Sequence, residues 1–356
     1  MSSCGWAYLV VLLFCAFVVH GCGGGGGGYP LPQAVAVATP PADDLRLAAV
    51  GDILLDRGPG DAIAANGAAS ILPVVADQLR AADIAFANLE CPLATVGPHD
   101  PANVIFRADP ATVAVLTLGG FDIVSLANNH AMDAGEVALT ETLGHLDDAG
   151  IRYVGAAVDP SHASDPTFLT AKGLRVGFLA YDDISDPSAC ESMIGTDMTS
   201  LRAQVTAAKA GCDVLLVSMH WGVQDTDTTT ARQRDVAHAC IEAGADAILG
   251  HHPHVLQGME LYRGRPILYS MGDFVFDARS VDEAQSGIFE LYRAADGSLQ
   301  VWMTPVSIST TRMGPEYATG AERDAILARF IGLSRNLGTT VQRTTTGKAF
   351  LQGSSS

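Results

Sequence analysis

Charged side chains are scarce in this chain of 356 residues, at 17%, and cations are the scarcer half, with 21 Lys and Arg against 39 Asp and Glu. A surface with a formal net charge of −18 repels nucleic acid and anionic lipid, which excludes binding either one through a broad basic patch. It leaves small anionic substrates open, because a bound metal can reverse the local field. Low charge combined with 48% apolar residues excludes a disordered chain, and the length supports one large domain or two ordinary ones with ample core. No GxGxxG follows any strand-like run, so the dinucleotide-binding fingerprint is missing. No CxxC spacing occurs among the seven cysteines, and no internal repeat is evident.

Long apolar runs are missing too. Trp6 to Val19 is short for a membrane span and ends at Val19-His20-Gly21-Cys22. Residues 1–22 read as a signal peptide whose end resembles a bacterial lipobox, with Cys22 as the acylated first residue. Residues 23–43 begin with Gly23–Gly28 and continue rich in Pro and Ala, the composition of a flexible tether. The expected location is therefore the cell envelope after export, with a lipid anchor at Cys22. A plain cleaved signal and an uncleaved anchor are the alternatives, since no Lys or Arg occurs in Met1–Leu9. Of the four cysteines beyond the leader, Cys212 and Cys240 sit in apolar helix-like surroundings that suit buried free thiols.

From Leu45 onward, short β-rich runs alternate with helical stretches. LRLAAV (45–50), DIAFA (83–87), DIVSLA (122–127), RYVGA (152–156), VGFLAY (176–181), DVLLVSM (213–219) and AILG (247–250) are near-continuous apolar runs, as expected of strands covered on both faces. Pro110–Leu118, Gly135–Ala149, Ser200–Ala210 and Ala231–Ala243 carry helical spacing between them. Turns at 171–173, 263–266 and 295–298 predict three hairpins. The pattern is α/β, with a two-sheet sandwich flanked by helices ahead of a doubly wound sheet. The domain is expected over 44–340, with 341–356 as a C-terminal tail.

Polar residues collect just beyond the C-terminal ends of these strands, where α/β folds place their sites. The runs deliver Gly51-Asp52, Asn88-Leu89-Glu90, Asn128-Asn129-His130 with Asp133, His220-Trp221-Gly222, His251-His252-Pro253-His254 and, after PILYSM, Gly272-Asp273. Each has an ordinary explanation when taken singly. Asp after Gly is turn chemistry, Asp133 with Glu136 makes a capping box for a helix starting near Ala134, and His220 and Trp221 suit core packing. Five strand ends offering Asp, Glu, Asn-His, His and His-x-His together make a mixed nitrogen and oxygen shell suited to Zn, Mn or Fe. Pro253 biases His252 toward extended backbone. Residues two apart then project to one side, so His252 and His254 can face one ion or an adjacent pair, with His251 pointing away as a bystander. Asn129 and His130 are neighbours and must diverge, one to metal and the other to substrate.

Taken in order, Gly51-Asp52, Asn88-Leu89-Glu90, Asn128-Asn129-His130 with Asp133 and Gly135, His220-Trp221-Gly222, Gly250–Val255 and Gly272-Asp273-Phe274 resemble CapA-type capsule-synthesis proteins, which belong with the calcineurin-like metallophosphoesterases. The resemblance spans about residues 45–310. It implies a four-layer αββα sandwich of the metallo-dependent phosphatase type with a two-metal site between the sheets, and a link to poly-γ-glutamate capsules. By position it implies Asp52, Glu90, Asn129, His220, His252 and His254 as metal ligands, Glu90 as a bridge, and His130, steadied by Asp133, beside the substrate.

Three positions depart from the pattern. Leu54 stands where the wider superfamily has the His of Asp-x-His, Gln224 where Glu is common, and Asp273 where Asn is more usual. The expected cofactors are two divalent transition metal ions (Mn, Zn or Fe). The expected partners are a γ-linked glutamate polymer or a phosphoester, membrane synthase or export subunits, and the membrane through the lipid anchor, with no nucleic acid. The implied activity is metal-assisted hydrolysis, with phosphomonoesterase or phosphodiesterase action and a non-catalytic accessory role as alternatives. Arg57 and Arg107 are the cations placed to reach such a site.

Overall fold

The computed structural model describes residues 29–37, 39, 44–185 and 197–352. The signal segment 1–22, Cys22, the glycine run 23–28 and Cys190 lie outside the described residues. Two sheets pack face to face. In the first, Leu45–Ile53, Ile84–Leu89, Ile123–Ser125 and Arg152–Val154 run parallel, and Gln285–Arg293 and Leu299–Ile308 continue the sheet antiparallel on the other side of Leu45–Ile53. In the second, Leu174–Asp182, Val214–His220 and Ala247–His251 are parallel, with Thr167–Ala171 and Met259–Tyr262 as antiparallel edges.

The apolar runs are continuous because both strand faces are covered. Helices Arg57–Asn66, Val113–Gly119 and Glu136–Asp148 cover the first sheet through one apolar layer. A second layer lies between the sheets, where Phe86 stacks on Phe178 with ring centroids 5.8 Å apart. Helices Met198–Lys209 and Ala231–Ala243 close the third layer on the second sheet. This is the αββα sandwich the sequence resemblance implies. All three predicted hairpins form. Helix Ala231–Ala243 has the predicted limits because Thr230 and Gln233 cap each other reciprocally and Gly244, at φ 116°, ends it.

The chain ends depart from expectation. Within the expected tail 341–356, the described part is not free: Gln342–Thr344 and Ala349–Leu351 pair with each other, and Ala349–Leu351 adds to Leu299–Ile308. Phe350 packs on Trp302 at 4.6 Å between ring centroids. Residues 23–43 are not wholly a tether either, since Ala34–Val35 pairs with Gln342–Thr344. Apolar Val341, Phe350 and Leu351 are buried, and that burial offsets the cost of ordering a short segment. Cys91, Cys212 and Cys240 are free thiols. No helix among the described residues is long and apolar enough to cross a membrane.

Candidate metal centre

Parallel strands bring their C-terminal ends to one rim, and the predicted residues meet there. Two groups form. Glu90, His220 and His252 make one, and Asp52, His254 and Asp273 the other, with the ligand-type atoms of each group within 4.8 Å of one another. The first sheet supplies the carboxylates and the second the imidazoles.

Asp52 reaches the rim because Gly51 lets two backbones touch. A Cβ at Gly51 would lie 1.7 Å from the Gly272 carbonyl oxygen. Without one, the Asp52 N–H donates to that oxygen at 3.0 Å and Asp273 falls in register beside Asp52. The two oxygens of Asp52 are heavily used. Oδ1 accepts from His251 Nδ1 at 2.9 Å and Asn88 Nδ2 at 2.9 Å, and Oδ2 accepts from the His252 N–H at 3.1 Å. His251 is therefore no bystander. It is fully buried and holds the carboxylate in place.

In the first group, His220 Nε2 lies 2.7 Å from Asn129 Oδ1, 3.1 Å from His252 Nδ1 and 3.7 Å from Glu90 Oε1. Four atoms of ligand type thus converge, all from residues expected as ligands. Glu90 Oε1 is also 3.6 Å from His254 Nε2, between the two groups where a bridge is expected. In the second, His254 Nδ1 donates to Asp273 Oδ1 at 2.8 Å and stands 3.6 Å from Asp52 Oδ2. Asp273 belongs to the cluster although the resemblance-based ligand set omits it; its place at a strand end after Gly272 was the available signal.

Backbone geometry differs from the extended conformation expected around Pro253. His252 and His254 adopt φ of 92° and 58°. Left-handed conformations of this kind cost a non-glycine residue about 1–3 kcal/mol and gather at functional sites. Both rings still reach the rim, but through a strained turn and not through strand periodicity.

Burial and mutual charge shape the protonation of the cluster. Burial works to raise the Asp52 carboxyl, but the His251 hydrogen bond and the nearby imidazoles hold it well below the usual range. Burial, reinforced by the charge of Asp52, pushes Glu90 well up. Asp273 rises to about 7 by burial, against the pull of His254. His220 is driven well down by burial and His252, and His252 falls to about 4 by burial and His254. Burial would also lower His254, but the charges of Asp273 and Glu90 outweigh it and raise it to about 10. Protons on Glu90, Asp273 and His254 occupy positions where positive charge is needed. Glu90 Oε1 and Asp273 Oδ2 are buried with no hydrogen-bond partner. Orphaned carboxylate oxygens, with the unprotonated imidazoles of His220 and His252 grouped with Glu90, suit divalent cations.

His130 stands at the edge of the cluster. Its Nδ1 donates to Asp133 Oδ2 at 2.8 Å, and the same oxygen accepts from the Phe106 N–H at 2.7 Å. Asp133 consequently does not cap the next helix: Gly135 is the N-cap and makes no side-chain bond. Asn128, which had no assigned role, donates to Asn88 Oδ1 and to the Leu89 carbonyl and receives the His130 N–H, tying two adjacent strand ends together. Such buried Asn scaffolding has no signature in a single sequence.

Leu54 is buried in the apolar core, and Trp221 packs on Tyr269 with its Nε1 donating to that residue's carbonyl. Gln224 is exposed. The Arg57 guanidinium lies over Phe106 at 4.8 Å and Phe276 at 5.5 Å and pairs with Asp277. Those two rings in turn pack on His130 and His254. Arg57 thus reaches the mouth of the cluster, whereas Arg107 turns into an adjoining cavity.

The model of the family described as "Bacterial capsule synthesis protein PGA_cap" matches residues 46–278. The PGA biosynthesis protein CapA of Bacillus subtilis is 30% identical over 281 residues, covering 77% of this chain and 74% of that protein. The capsule biosynthesis protein CapA of Bacillus anthracis is 28% identical over 279 residues, covering 75% and 68%. A probable polyglutamine synthesis accessory protein of Mycobacterium tuberculosis is 31% identical over 270 residues, covering 68% and 70%. With the ordered strand ends and the matched region coinciding, this chain belongs to the PGA_cap family of bacterial capsule synthesis proteins.

Proposed function

We propose that this chain serves poly-γ-glutamate capsule synthesis, export or processing at the cell envelope, with a buried centre for two divalent transition metal ions that supports hydrolysis. Family membership supports the capsule setting. The observation that carries the metal reading is the pair of buried carboxylate–imidazole groups with orphaned oxygens on Glu90 and Asp273. Asp52, Glu90, Asn129, His220, His252 and His254 would hold the ions, with Asp273 completing the second group. The mixed donors favour Mn, Zn or Fe over Ca or Mg. Divalent cations held there supply Lewis-acid polarisation of a substrate oxygen and an acidified water.

The chain's own residues supply the proton work. Asp133 accepts from His130 Nδ1 and so fixes the ring and its tautomer. His130 Nε2 is left to accept a proton in the neutral ring and to deliver one to a leaving group from the imidazolium. Arg57, at the mouth, adds a cation toward an anionic substrate, which also suits a phosphoester. A lipid anchor at Cys22 would hold the domain near membrane synthase or export subunits.

The test combines metal analysis of the purified protein with assays on p-nitrophenyl phosphate esters and on γ-linked polyglutamate. Wild type should carry metal and hydrolyse at least one of the two. His254→Ala should lose at least one equivalent of metal, and a variant that keeps the full content would overturn the site assignment. Inertness of the metal-loaded wild type toward both substrates would replace catalysis by an accessory role.

A further inference from the structure

Beside the metal cluster lies a second cavity of about 550 Å³ that the hydrolytic reading does not use. It is separated from the cluster by two dipeptides. In Phe106-Arg107, Phe106 packs on His130, with ring centroids 4.4 Å apart, while Arg107 lines the cavity. In Asp56-Arg57, Arg57 stacks on Phe106 while Asp56 lines the cavity. The partition is fastened by the Arg107 N–H donating to Asp56 Oδ2 at 3.0 Å and the Phe106 N–H donating to Asp133 Oδ2 at 2.7 Å. A group held by Arg107 is thus one residue away from the ring that packs on His130.

The cavity has a divided character. The half-buried Ile63 and Pro110 give it an apolar wall. Its two carboxylates are already committed. Asp56 accepts from His99 Nε2 at 3.0 Å as well as from the Arg107 N–H, and Asp109 accepts from the Ala111 N–H at 2.8 Å. Arg107 differs. Its guanidinium donates to the Gly97 carbonyl at 2.5 Å, and no ion pair with a carboxylate is seen among the described residues. Arginine presents a planar fork matched to a carboxylate, so the remaining donors of Arg107 can take one.

We infer that this cavity is a subsite for a carboxylate-bearing chain unit, with Arg107 binding the carboxylate and Ile63 and Pro110 covering its methylenes. A γ-linked glutamate residue has this composition, a free carboxylate beside two methylenes. This rests on the capsule-polymer reading above and names the part of the chain that recognises the polymer. It also accounts for how an acidic protein binds a polyanion: the cation is placed locally, in a cavity whose carboxylates already accept hydrogen bonds from the chain itself.

The test is calorimetric titration of the metal-loaded full chain with a γ-glutamate oligomer and with the matching γ-linked isoglutamine oligomer, whose free carboxylates are amidated and carry no charge. Loss of one charge-assisted contact should weaken the glutamate oligomer about tenfold in Arg107→Gln, with the isoglutamine oligomer unaffected. Ala64→Trp, at an exposed helix position lining the cavity, should produce a similar loss by filling it. Metal content and thermal melting identify a variant that has misfolded, in which case the other decides. If both variants bind the glutamate oligomer like wild type, the subsite is overturned and the capsule reading stands. Arg107-dependent binding without hydrolysis, in a strain that keeps its capsule when the gene is deleted, overturns the functional reading and leaves the subsite. A wild type that binds no oligomer overturns both.

Discussion

His252 shows how one side chain links burial, charge and ligand availability. Burial and the neighbouring His254 lower its value to about 4, below the ordinary imidazole range, so the ring is neutral and open to a cation at pH 7. The sign for stability follows. Between about pH 6.5 and 4 the unfolded chain binds a proton on this residue and the folded chain does not, so its contribution is intact above 6.5 and is lost as pH falls to 4. Measured without metal, the wild-type melting temperature should therefore fall relative to His252→Gln across that window, and a constant difference between the two would contradict the assigned environment. The sequence made His252 and His254 recognisable as a pair. It did not reveal their left-handed backbone, because the rule for a residue before proline favours extended backbone, and here the contacts of the cluster override that local preference. His251 was misread for a related reason: strand periodicity places it opposite its neighbour, but does not say that Asp52 approaches from the other sheet.

Among the elements, the long parallel strands were legible because double-sided burial leaves an apolar run, and their polar ends marked the rim. The short terminal strands were not. Gln342–Thr344 and Ala349–Leu351 have three residues each, too few for any period to emerge, and the partners that join them to the sheet, Leu299–Ile308 and Ala34–Val35, are remote in sequence. Their burial still has energetic weight. Phe350 is 4% exposed and packs on Trp302, so Phe350→Ala should cost about 3 kcal/mol by removing the ring and leaving a cavity. Urea unfolding of the two proteins measures this directly. A change below ~0.5 kcal/mol, the range of ordinary surface substitutions, would return these residues to the status of a loose tail.

Across the whole molecule, the cluster joins two sheets that are otherwise held by an apolar layer. Asp52, Glu90, Asn129 and Asp273 come from the first sheet or the loops that leave it, and His220, His252 and His254 from the second. Without cations this junction confines three buried carboxylates against one another, and two of them are pushed upward, chiefly by burial and further by that mutual charge. Cations bound there would remove that repulsion and fasten sheet to sheet, so binding energy becomes folding energy. Metal at a hundredfold excess over its dissociation constant stabilises by about 2.7 kcal/mol, which for a domain of this size corresponds to a melting shift of roughly 5 °C. Chelation should lower the melting temperature by about that amount. It should also raise amide exchange at the strand ends of both sheets together, since each holds one side of the junction. Faster exchange confined to one sheet would mean that the ions, if bound, are held by that sheet alone, and the junction between the sheets would then rest on apolar packing.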